Sequence, residues 1–167
     1  MEEYRWIAYE LLFQHSAFGS LNKSLLEELG CGLNSWWTVD VFARTLAGPA
    51  WLRGLISDAT ILRWARSPDQ WWRRAALVAT VALNVRSHGG PGDTRRTLMI
   101  CEPLVSDHSD TVVKALSWAL RALVVHDAVA VKAFLAKHRG DLAARVLREV
   151  TNKLTTGLKS KVRDASD

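Results

Sequence analysis

The feature that most constrains this chain is a helical pattern that returns at a fixed interval. Align WWRRAALVAT (71–80) with TVVKALSWAL (111–120), and Arg74-Ala75 falls on Lys114-Ala115, 40 residues on. From Lys114 a step of 34 residues reaches Arg148, and 34 back from Arg74 stands Asp40. Repeats of this length are single supersecondary units. None can bury its apolar face alone, so neighbours must stack. Apolar residues recur with the period of a helix, and alternating strand patterns are absent. Ten Gly and four Pro in 167 residues are also too few for a turn-rich sandwich.

Helices are expected near 2–15, 21–29, 35–47, 50–56, 58–66, 69–86, 94–105, 110–125, 128–138 and 142–158. Ser35, Asp58, Asp69, Asp93, Asp110 and Asp141 read as N-cap or first-turn residues, and Gly30, Gly48 and Gly140 as stops. The segment RSHGGPGD (86–93) is the one clear loop. The fold class is therefore all-α: a HEAT-like α-solenoid of antiparallel helix pairs with a concave basic face. One domain is expected over 1–158, followed by a polar tail, 159–167.

Composition narrows the partners. Net charge is +5, and 15 of the 22 cations are Arg. The cations favour a polyanion. Eight Trp against two Tyr and four Phe is an odd choice for a core, because a buried indole N–H needs a partner. Two Cys give no disulfide framework, and the five His lack metal-ligand spacing, so no metal site is expected. The start, Met-Glu-Glu-Tyr-Arg, has no basic and apolar leader, and no apolar run spans a membrane. A cytoplasmic location is expected, on the nucleoid if the source is bacterial. Neither a P-loop nor GxSxG is present, and GGPGD (89–93) reads as a turn with an N-cap.

The repeat register selects candidates. Asp40, Arg74, Lys114 and Arg148 hold equivalent places. In the 110–125 helix, Val112, Leu116, Leu120 and Leu123 form the apolar face, leaving Lys114, Trp118 and Arg121 opposite. Trp36, Asp40 and Arg44 make an i, i+4, i+8 stripe. Arg145, Arg148 and Asn152 face outward from the last helix. Cations interleaved with aromatics suit nucleic acid: phosphates are neutralised and bases find stacking platforms. Each residue also has a plainer reading. Asp40 could pair with Arg44, Trp118 could pack between repeats, and Arg74 could be a buried ion-pair member. Trp72 reads as core, and Trp6, Trp51, Trp64 and Trp71 as structural.

Three segments, SWWTVDVF (35–42), LRWARSPDQWWRRAALVAT (62–80) and DTVVKALSWALRAL (110–123) with AFLAKHRGDLAARVLREVTNKL (133–154), resemble the DNA alkylation repair glycosylases of the AlkD type. Against typical members the chain looks short of helical repeats at its N-terminus. The resemblance implies excision of purines alkylated at N3 or N7 from duplex DNA by a monofunctional glycosylase without cofactor. It implies that Trp36 and Trp118 flank the damaged nucleotide, with Asp40 as catalytic carboxylate. Arg74 would hold the DNA backbone. From the helix faces themselves, Lys114, Arg44, Arg121, Arg145 and Arg148 are expected to contact phosphates. Double-stranded DNA carrying alkylated purines is the expected partner. The alternative is a non-catalytic HEAT-like module that binds DNA or protein.

Overall fold

A computed structural model describes residues 4–159, and among these there are helices and no strands. In chain order they are α1 (Arg5–Gln14), α2 (Lys23–Leu29), α3 (Trp36–Phe42), α4 (Gly48–Leu52), α5 (Asp58–Ala65), α6 (Gln70–Asn84), α7 (Thr94–Cys101), α8 (Asp110–Val124), α9 (Ala128–Lys137) and α10 (Ala144–Thr156). Of the tail expected over 159–167, only Lys159 lies within the described residues.

Several starts are set by side-chain caps. Ser35 accepts from the Thr38 amide, Asp69 from Trp71 and Asp93 from Arg96, as their sequence positions suggest. Asp58 and Asp110 stand in first turns instead. Asp141 caps nothing: α10 begins at Ala144 after a turn that buries Leu142, and Asp141 lies 3.9 Å from His138.

Gly48 corrects the sequence reading. It does not stop a helix; α3 continues through a π-helical turn, Ala43–Ala47, straight into α4. The glycine is needed for close approach. A Cβ there would sit 2.5 Å from the Ala82 Cβ and 2.7 Å from the Ala79 carbonyl of α6. The wider turn beside it also absorbs Pro49, whose ring would clash inside a regular α-helix.

The α3–α4 rod, α6, α8 and α10 pack one against the next, while α5 and α7 pack beside α6 and α8. α6 is the spine: every residue from Arg74 to Asn84 is buried. In α8 the expected face of Val112, Leu116, Leu120 and Leu123 is buried. α1 closes one end of the row against α3 and the π turn, and α9, beside α8, stands at the other. No described helix is long and apolar enough to cross a membrane.

Candidate active site

The successive helices bring their polar faces to one cleft of about 380 Å³, lined by Trp36, Asp40, Arg74, Lys114, Trp118, Arg121, Arg145 and Lys159. Two grooves of about 690 and 700 Å³ lie elsewhere and hold none of the three residues expected to do chemistry.

Trp36 opens α3 directly after the Ser35 cap, and 60% of its surface is exposed. Asp40 follows one turn later on the same face. Trp37 leaves that face and meets Trp6 of α1 edge-on, ring centroids 6.4 Å apart. Trp118 comes from α8, half-buried against the core.

Asp40 is not paired with Arg44 through the hydrogen bonds an i, i+4 reading suggests. Its carboxylate takes two bonds from Arg74 across the helix interface, Nε to Oδ1 at 2.8 Å and Nη2 to Oδ2 at 2.7 Å. Arg74 is 5% exposed and spends its third nitrogen on α8, with Nη1 donating to the Thr111 carbonyl at 2.6 Å. It is thus a buried ion-pair member that ties α3 to α8 through α6. The expectation that it holds the DNA backbone meets a guanidinium with every nitrogen engaged. Arg44 instead stands 5.9 Å from the centre of the Trp118 ring, in a cation–π arrangement.

Burial pushes the Asp40 carboxyl above its ordinary value, against the opposing pull of Arg74 and Arg44. Fixed by a bidentate partner, the carboxylate is an oriented negative charge in a half-buried place. Each oxygen keeps lone-pair capacity beyond its single bond to Arg74.

Among the described residues Asp40 is the only acid lining the cleft, but two acids stand behind the cations. Lys114 pairs with Asp110 at 2.6 Å and Arg145 approaches the same carboxylate at 3.6 Å. The Lys114 bond holds Asp110 below the usual carboxylate range. Arg121 lies 3.8 Å from Glu149 and donates to the Ser117 hydroxyl, which in turn donates to Glu149 at 2.6 Å. Burial lowers the Arg121 pKa, opposed by Glu149.

Arg148, expected in register with Asp40, Arg74 and Lys114, is not brought to the cleft. It is exposed in the groove between α9 and α10. On α10, Arg145 and Glu149 are one turn apart and share the face toward α8, so Arg145 takes the place expected of Arg148. The sequence reading also missed Thr111, Asp110, Glu149 and Lys159. The spacing of Asp110 to Lys114 was a visible signal; the other three depend on helix packing. Among the described residues no cluster of His, Cys, Asp or Glu could hold a metal ion.

A family model described as DNA alkylation repair enzyme matches residues 1–154. No curated protein and no solved structure matches the chain.

Proposed function

Because the chain belongs to the family of DNA alkylation repair enzymes and so acts in repair of alkylated DNA, we propose that its cleft hydrolyses the N-glycosidic bond of purines alkylated at N3 or N7 in duplex DNA. The observation that carries this reading is the meeting of Trp36, Asp40 and Trp118 in one cleft with Lys114, Arg121 and Arg145.

An alkylated N3 or N7 gives the purine a formal positive charge, which weakens the glycosidic bond before any residue acts. The leaving base needs little protonation. Positive charge then develops on the sugar, and a carboxylate already oriented there stabilises it without reorganising. Asp40, clamped by Arg74, supplies such a charge and can orient the attacking water. The indole faces of Trp36 and Trp118 favour a cationic base over a neutral one by about 0.5–2 kcal/mol each. Lys114, Arg121 and Arg145 neutralise phosphates on either side. Lys114, exposed and paired with Asp110, is a phosphate contact and not a desolvated amine nucleophile.

One observation favours a second reading. A carboxylate with both oxygens on a buried guanidinium also serves as a structural brace, as a non-catalytic DNA-binding module would use it. Release of 7-methylguanine from a methylated duplex separates the two. The glycosylase reading expects free base and an abasic site at a rate above spontaneous loss. Tight binding of the duplex with no release above that background overturns it.

A further inference from the structure

Two arginines of the cleft are tied down in opposite ways. Every nitrogen of Arg74 bonds to a protein acceptor. Arg121 engages one: its Nε donates to the Ser117 hydroxyl at 3.2 Å. Among the described residues its two terminal nitrogens make no hydrogen bond. The guanidinium is thus held by its stem side, and the forked end that matches a phosphate is left available.

The anchor has an anchor of its own. Ser117 is fully buried, and its hydroxyl donates to Glu149 Oε2 of α10 at 2.6 Å. A hydroxyl that gives its proton to a carboxylate turns its lone pairs elsewhere, and Arg121 Nε meets them. The same carboxylate oxygen lies 3.8 Å from Nε, beyond hydrogen-bond range, so it acts on Arg121 by charge and through the serine. Lys159 stands 4.0 Å from the other oxygen. Glu149 does not line the cleft. Arg121 does, with Trp118, and both also line the adjoining recess of about 350 Å³. The guanidinium therefore stands at the junction of the two, beside Trp118.

A plain count of charge gives Glu149 the wrong part. An acid behind the cleft cations weakens their hold on phosphate, and a surface built only for attraction would do better without it. Placement works the other way, because an arginine already posed loses less side-chain freedom when a phosphate arrives. We propose that Glu149, acting through the Ser117 hydroxyl, is a positioning residue that holds Arg121 ready to grip a DNA phosphate beside the lesion. This role rests on the proposed reading of the cleft as a seat for alkylated duplex.

Affinity of the full chain for a labelled undamaged duplex, measured over a range of salt, tests it. Each variant is compared at a temperature where circular dichroism shows it folded. Ser117→Ala removes the link and no charge. Its log–log salt slope should drop by about 0.9, the share of one phosphate contact, and its affinity at low salt should weaken about 2- to 10-fold. Glu149→Ala removes the link and an acid together. It should also weaken binding, where charge alone would tighten it. Glu149→Gln keeps an oxygen for Ser117 and should bind at least as tightly as the parent. Arg121→Gln should lose the same slope, and adding Ser117→Ala to it should change nothing further. An unchanged slope in Ser117→Ala overturns the proposal. So does a Glu149→Ala variant that binds more tightly than the parent, or a Glu149→Gln variant that binds as weakly as Glu149→Ala. Release of 7-methylguanine by the parent, followed alongside, keeps the two readings apart. A parent that shows these slopes and releases no base ends the glycosylase reading and leaves the role of Glu149 standing. Normal release with an unchanged Ser117→Ala slope does the reverse.

Discussion

Asp40 carries two roles that a single substitution disturbs together. It is the only acid among the described residues lining the cleft, and it is the partner of a guanidinium that is 5% exposed. Asp40→Asn keeps the shape and removes the charge. Excision of 7-methylguanine should fall by about 10²-fold or more, the usual loss when one preorganised electrostatic group goes. Breaking a buried pair from one side also costs about 3–5 kcal/mol, because the other charge is left without its counterpart. Activity should therefore be measured where the variant is shown folded. The double variant Asp40→Asn/Arg74→Gln recovers stability without recovering excision if the carboxylate acts on the reaction. Recovery of both would make Asp40 a brace.

The direction of the Asp40 shift fixes a pH dependence. Burial raises its folded-state pKa above 3.8, so the folded protein holds this proton more tightly than the unfolded chain does. Its contribution to stability therefore declines as pH rises from 3.8 through the raised value. The proposed reaction needs the ionised form. Excision should climb with pH along a limb placed above 3.8, and the limb should vanish in Asp40→Asn. Asp110 behaves oppositely: lowered by Lys114, its contribution is present above 3.8 and lost as pH falls through the lower folded value. An activity profile flat through the carboxylate range would remove Asp40 from the chemistry.

At the scale of elements, the α3–α4 rod is the part most sensitive to its packing. The π turn lies directly after the stretch holding Trp36 and Asp40, and Gly48 lets α6 approach within contact of the backbone. Gly48→Ala places a methyl 2.5 Å from the Ala82 Cβ. Ala82 and the nearby Ala79 carbonyl both belong to the buried helix α6, so the rod must move away. A loss of about 1–3 kcal/mol in urea unfolding is expected for such overpacking. Excision should fall further than stability alone explains, because the rod carries Asp40 past Arg74. Unchanged stability would show that the rod yields at the π turn without cost.

At the scale of the whole molecule, the proposed function has the cleft cations meet DNA phosphates, and salt dependence would count them. Affinity for undamaged duplex should fall steeply with salt, with a log–log slope of about −0.9 per phosphate neutralised. Lys114→Ala and Arg145→Ala should each reduce that slope by about 0.9, whereas Arg148→Ala should leave it unchanged. The repeat register alone would assign Arg148, and the fold assigns Arg145. A slope that drops for Arg148 and not for Arg145 would show that the duplex runs over the α9–α10 groove.

The sequence by itself determined the helices, because apolar spacing and cap residues act within one element. It also determined that Trp36 and Asp40 share a face and that Trp118 sits with the cations of α8, since these follow from 100° per residue. It named Gly48 correctly as special but for the wrong reason: a glycine that ends a helix and one that admits a neighbour look alike until the neighbour is in place. Only the tertiary structure decided which arginine holds Asp40. Arg44 is one turn away along the chain, yet Arg74 reaches the carboxylate because α6 lies against α3 and its guanidinium, buried there, must find an acid. The same holds for Arg145 and Arg148, about 60° apart around α10 by helical geometry. Burial of Val146 and Val150 and the bond from Ser117 to Glu149 set the rotation of α10 on α8, and that rotation puts one arginine in the cleft and the other in the groove.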